Sequence, residues 1–304
     1  MRTGKPQRMV QPSKRHNFTR VILETPAAVA DDAAGIFSAY GALGCEIRKA
    51  PGKPATKTYA RSQLHVYFDK LNNRSLDRIQ KALRAARMID AAATPSVSRI
   101  QDPGWATMWQ KRFEPFPVGE RFLIVPPWAQ TTATERIQII IRPGQAFGTG
   151  HHASTFGTLH LIADTFGSTH CARVLDVGTG SGILAIAAHK LGARKVVAID
   201  VDAVALENAI ENADLNRLAG SIRFSAAPLS SIRGSFELIT ANILSSVLIA
   251  IAPQLKARLH LGGYLILAGI LAREADAVAA AYAPELKHLT TRADGVWRAL
   301  LFRR

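Results

Sequence analysis

Residues Arg173 to Asp202, RVLDVGTGSGILAIAAHKLGARKVVAIDVD, constrain the fold more than any other stretch of this 304-residue chain. An apolar strand, Arg173 to Val177, runs through a glycine-rich turn into a helix, Ile183 to Leu191, and then into a second apolar strand ending at Asp200. That order is a βαβ unit, the building block of a helix-covered parallel sheet. Gly178, Gly180 and Gly182 allow the backbone to turn sharply and approach a ligand closely. Asp200 lies 22 residues beyond Gly178, where a carboxylate can accept from both ribose hydroxyls. A lone G-x-G says little, but strand, turn, helix, second strand and terminal acid in this order indicate a nucleoside site.

The dinucleotide fingerprint requires its third glycine three residues after the second, and that position is Ile183. The turn is instead G-x-G-x-G, preceded by Asp176. An acid at the strand tip repels a pyrophosphate and suits a cationic ligand, so S-adenosylmethionine is the better candidate, its ammonium and sulfonium needing no phosphate cradle. The other reading of Asp176 is a carboxylate that stabilises the turn. Asp202 reads as the N-cap of a helix over Ala203 to Asn216. Downstream, FELITANILSSVL gives a buried strand, Phe236 to Ala241, that ends in Asn242. Ligands in open α/β sheets sit at the carboxyl ends of strands, so Asn242 shares a rim with the glycine loop and Asp200. Its amide oxygen can hold an amine; alternatively it caps the helix beginning near Ser245. Further strands are expected over Tyr264 to Ala268, Leu286 to Arg292 and Val296 to Phe302, the last two joined by a two-residue Asp294-Gly295 turn into an antiparallel edge hairpin.

Between an extended apolar run and a helical pattern lies AFGTGHHASTFG, Ala146 to Gly157. Two adjacent imidazoles invite a metal, but neighbouring side chains diverge and no Cys or carboxylate lies nearby, so no metal is expected. A phosphate loop or a lid over some other ligand are the remaining readings of the stretch.

The first third has a different order of periods. Strands over Phe18 to Glu24, Leu43 to Lys49, Gln63 to Asp69 and Val97 to Ile100 alternate with helices over Ala28 to Tyr40 and Ser75 to Ala91. This β-α-β-β-α-β order predicts a ferredoxin-like α+β domain with no convergent polar cluster, suited to substrate binding. The expected organisation is a mobile basic tail (1–16), the ferredoxin-like domain (17–101), an aromatic and proline-rich connector (102–134) in which Trp105, Trp109 and Trp128 serve inter-domain packing, and a doubly wound α/β domain (135–304). Formal net charge is +15, and residues 1–100 carry 18 basic against 7 acidic side chains. Such a patch attracts phosphate, so weak RNA contact through the basic third is a possible partner interaction, though no aromatic RNA-binding signature accompanies it. Cys45 and Cys171 lie far apart in sequence and each sits in a segment that reads as core, so neither a disulfide framework nor a zinc ribbon is expected, and there is neither a transmembrane-length apolar run nor a signal-peptide h-region. A cytoplasmic, monomeric protein is expected.

AFGTGHHAST, VLDVGTGSGILAIAAHKLGA, AIDVD, ANIL and GGYLILAGIL, with the connector WQKRFEPFPVGERFLIVPPW, together resemble the PrmA family, methyltransferases of large-subunit ribosomal protein L11. The resemblance implies a class I, Rossmann-like methyltransferase sheet. It further implies that Phe147 and Gly148 border the S-adenosylmethionine pocket and that the Thr155 hydroxyl lies near its methionine part. The implied activity is methylation of lysine side chains and the N-terminal α-amine of the ribosomal protein. Two departures stand out: the family's Thr-Thr is Ser154-Thr155 here, and its Glu-Trp is Val296-Trp297. The alternatives are a methyltransferase acting on another protein's lysine or on a small molecule, and a non-catalytic, RNA-associated nucleoside-binding protein.

Overall fold

The computed structural model describes residues 17–42, 44–50, 61–69, 71–101, 114–129, 134–142 and 153–304. In the first part, β1 (Asn17–Pro26), α1 (Ala30–Ala39), β2 (Gly44–Lys49), β3 (Arg61–Phe68), α2 (Asn73–Ala85) and β4 (Ser96–Gln101) follow the expected order. The sheet runs β2-β3-β1-β4 with every pair antiparallel, which is ferredoxin-like topology. Alternation puts Val21, Leu23, Leu64, Val66 and Phe68 into one core with Ile36, Phe37, Ile79 and Leu83 of the two helices. Asn72 caps α2, its side-chain oxygen accepting from Ser75 N–H at 2.8 Å. The helix stops at Ala85 rather than reaching Ala91, because Arg87 turns left-handed at φ 56°. Met88 stays buried past the helix end, its carbonyl accepting from the Thr25 hydroxyl at 2.6 Å.

The described part of the expected connector is partly strand. β5 (Phe116–Val118) and β6 (Phe122–Val125) form a three-stranded sheet with β7 (Ile137–Ile140), in the order β5-β6-β7. Phe122 and Ile124 share a core with Ile139, Leu159 and Val174, so these strands belong to the larger domain. Trp128 is 36% exposed, whereas Trp105 and Trp109 lie outside the described residues.

The main sheet is built from β8 (Arg173–Val177), β9 (Lys195–Ile199), β10 (Ile222–Ser225), β11 (Phe236–Asn242), β12 (Leu259–Leu271), β13 (Lys287–Asp294) and β14 (Trp297–Arg303). Its order is β10-β9-β8-β11-β12-β14-β13; the first five strands are parallel and β14 runs antiparallel to both neighbours. Val174, Leu238 and Ile266 pack towards α3 (Ala153–Ser168) and α4 (Ile183–Lys190). Their chain neighbours Leu175, Ile239 and Leu267 pack into a second core with residues of α6 (Ser245–Arg258) and α7 (Ala275–Tyr282). The strand order reverses between β8 and β11, a topological switch point where α/β sheets open a crevice.

At the edge hairpin, Asp294 pairs with Trp297, so the two-residue loop is Gly295-Val296, one position beyond the expected Asp294-Gly295. Gly295 has φ 50° and takes the first central position, where a type II′ turn places glycine. Leu271 and Trp297 join the apolar core of the first domain, and a side chain on Gly295 would meet the Asp32 carboxylate at 2.8 Å.

Candidate active site

At the carboxyl end of β8 the chain enters the glycine loop. Gly178, Gly180 and Gly182 have φ of 72°, 53° and 81°, a left-handed backbone at alternate positions that favours glycine at each. Protein neighbours also fix the first and third. A Cβ on Gly178 would lie 2.2 Å from the Ile243 side chain, and one on Gly182 would lie 3.1 Å from Cβ of Ala209, on α5 (Ala203–Leu215). The Gly178 and Thr179 N–H groups both donate to the Ile199 carbonyl, at 2.9 and 3.0 Å, which stitches the loop to the end of β9.

Two carboxylates flank this loop in different roles. Asp176 is fully buried beneath it; one oxygen accepts from the Thr179 hydroxyl and the other from Thr240, both at 2.6 Å. Burial pushes its pKa up to about 6 against the opposing effect of those two hydroxyls. These bonds draw Asp176 as a strut of the turn, the second of the two readings open from the sequence. Asp200, at the tip of β9, accepts from the Gly180 N–H at 2.9 Å and, through its other oxygen, from the Asp202 N–H at 3.0 Å. It stays partly open at the crevice, with lone pairs left on both oxygens. Asp202 is the N-cap of α5, its side chain accepting from Val204 N–H at 2.9 Å.

Asn242 closes the rim at the end of β11. Leu244 holds the N-cap position of α6 and no side chain caps it, so the capping role considered for Asn242 is not what the structure shows. The Asn242 amide nitrogen lies 3.5 Å from the Thr155 hydroxyl of α3, and its Oδ1 is buried with no hydrogen-bond partner. A buried acceptor left unpaired costs about 1–3 kcal/mol, so a water or a bound donor at this point would relieve it. Against it lies Gly269, at φ 78° in the irregular stretch of β12 between Leu267 and Ile270. A Cβ there would come within 3.1 Å of Asn242 Oδ1 and 2.6 Å of the Ile243 carbonyl. Sequence reasoning passed over Gly269, although an isolated glycine within the strand pattern LILAGIL signals such a close approach.

Asp176, the three glycines, Asp200, Asn242 and Thr155 therefore converge on the switch point, while Phe147, Gly148, His151 and His152 lie outside the described residues. Among the described residues no three His, Cys, Asp or Glu side chains gather as metal ligands would, and no helix is long and apolar enough to cross a membrane.

This rim carries a partly exposed carboxylate and an unpaired amide oxygen, and the model of the ribosomal protein L11 methyltransferase (PrmA) family matches residues 17–304. The chain belongs to this family. The L11 methyltransferase of Pelobacter propionicus is 43% identical over 215 residues, 69% of this chain and 70% of that one. Its counterpart in Bordetella parapertussis is 40% identical over 234 residues, 73% of this chain and 74% of that one. A crystal structure of ribosomal protein L11 methylase from Lactobacillus delbrueckii subsp. bulgaricus superposes with a TM-score of 0.58 at 33% identity, covering 63% of this chain and 98% of that one. The PrmA match spans the ferredoxin-like domain as well as the sheet, so family membership is not carried by the glycine loop alone.

Proposed function

We propose that the protein transfers methyl groups from S-adenosylmethionine to lysine side chains and the N-terminal α-amine of ribosomal protein L11. The observation that carries this reading is the unpartnered Oδ1 of Asn242, set on the same strand-end rim as Asp200 and the glycine loop. Asp200 would take the ribose hydroxyls and the glycine loop would lie against the nucleoside, while Thr155 would face the methionine part. Asp176 acts through the loop it braces. Phe147 and Gly148 are assigned to the pocket wall by family resemblance. When bound, the donor supplies an already activated sulfonium methyl.

This chain's residues have the task of alignment. Asn242 Oδ1 accepts an N–H of the attacking amine, holding the nitrogen lone pair in line with the bond to be broken. The amine must be neutral to attack: an α-amine near pKa 8 releases its proton readily, whereas lysine near 10.4 requires desolvation in the crevice to lower its value. The ferredoxin-like domain, residues 17–101, presents the protein substrate, and the basic tail adds screened, long-range attraction. The enzyme works as a monomer in the cytoplasm, and RNA contact through the basic third is weak. Intact mass of purified L11 after incubation with enzyme and donor tests the reading. Mass gains in steps of one methyl group are expected, and an unchanged mass with a folded enzyme would overturn it.

A further inference from the structure

α5 and its C-cap carry two buried asparagines, Asn212 and Asn216, that the catalytic reading leaves without a role. Among the described residues β7 pairs with β6 on one side, and along its other side Asn212 and Asn216 meet its backbone as a neighbouring strand would. Asn216 Oδ1 accepts from the Ile140 N–H at 2.9 Å, and its Nδ2 donates to the Ile140 carbonyl at 2.6 Å. Asn212 Oδ1 accepts from the Arg142 N–H at 2.8 Å. Three backbone groups of β7 and its extension are thereby satisfied by side chains of one helix.

Asn212 does something that Asn216 does not. Fully buried, it turns its Nδ2 to the Ser181 carbonyl at 2.9 Å, inside the glycine loop. The same peptide unit is held at its other end, where Gly182 N–H donates to the Thr179 carbonyl at 2.9 Å. Its carbonyl and N–H are both occupied, so the last peptide of the loop cannot flip. One residue earlier, the Gly180 N–H is the group that meets Asp200. A flip of the 181–182 peptide would change ψ of Ser181 and φ of Gly182, and so the left-handed turn by which the loop enters α4.

We propose that Asn212 is a positioning residue for donor binding: it locks the 181–182 peptide of the glycine loop and registers the loop against β7, without touching the donor. This rests on the methyl-donor reading of the rim. Three properties suit the carboxamide to the task, namely one acceptor for Arg142 N–H, one donor for Ser181, and a second donor N–H that meets Asn208 Oδ1 at 3.3 Å. Asn212→Asp keeps the acceptor but sets an oxygen against the Ser181 carbonyl, whereas Asn216→Ala loosens β7 and leaves the loop peptide alone. The pair separates loop positioning from general support of the fold.

The test is calorimetric affinity for S-adenosylmethionine and S-adenosylhomocysteine, with melting temperature and methylation kinetics on the same full-length preparations. Asn212→Asp should weaken both ligands at least about tenfold and raise the donor KM, with kcat at saturating donor within about threefold of wild type. Asn216→Ala should lower the melting temperature and leave both affinities within about twofold. Should Asn212→Asp not fold, Asn212→Ala is held to the same thresholds. Wild-type affinity in the folded Asn212 variant, or equal weakening in Asn216→Ala, would overturn the proposal. A wild-type protein that binds neither ligand would instead remove the donor reading itself.

Discussion

Single residues at the rim divide by what they contact. Asp200 joins the loop to the next turn while keeping lone pairs at the crevice, so Asp200→Ala should lose donor affinity by at least about tenfold with a fold intact by circular dichroism. Asn242→Ala should instead lower kcat more than donor affinity, because the lost group orients the amine; an unchanged kcat by radiolabelled methyl incorporation would deny it that role. Asp176 gives a pH signature. Its pKa is raised in the folded protein, from 3.8 to about 6, so the native state binds the extra proton and stability falls as pH climbs through that window, levelling off above it. Asp176→Asn removes the titration, and its stability relative to wild type should rise between pH 4 and pH 6 by on the order of 2 kcal/mol, read from urea unfolding. The strand-end positions of Asp200 and Asn242 were legible from the apolar runs that precede them. Thr240 and Asn212 were not, since their importance lies in which buried group each hydrogen-bonds, and one-dimensional spacing carries no sign of a partner 64 or 31 residues away.

At the scale of elements, the βαβ unit, the ferredoxin-like order and the edge hairpin were all readable from period and turn chemistry. Errors fell where a local backbone choice overrode the period. α2 ends early at a left-handed arginine, and the hairpin loop shifts by one residue so that glycine occupies the first position of a two-residue turn. The irregularity in β12 was hidden for a related reason: Gly269 interrupts pairing with β14 while the apolar run continues unbroken. Gly269→Ala adds a methyl 2.6 Å from a backbone carbonyl at φ 78°, which cannot be accommodated without displacing the Ile243 carbonyl and Asn242. Stability should fall by more than about 1 kcal/mol. The methylation rate should fall further than donor affinity does, and a variant with wild-type kcat would show that β12 does not set the position of the amide.

For the whole molecule, the basic excess is concentrated early, with 18 Lys and Arg against 7 Asp and Glu in residues 1–100. Deleting residues 1–16 removes five Lys and Arg and no acid, and should slow methylation of L11 modestly at low salt and not at high salt, as screened attraction requires. An equal loss at both salt concentrations would mean that the tail makes fixed contacts. The connector was the least legible region because proline and aromatic density in 102–134 reads as irregular chain, whereas pairing of β5 and β6 with β7 depends on a strand that comes later in sequence.

Trp297, seated in the apolar core of the first domain, also bears on the order in which the chain is made. The ferredoxin-like domain is made before the main sheet, yet two side chains of its core, Leu271 and Trp297, come from β12 and β14, far later in sequence. Until then its apolar interior is incomplete, and full protection of the β1 and β3 amides must wait for β14. A nascent chain stalled after residue 250 should accordingly show those amides exchanging faster than in the finished protein.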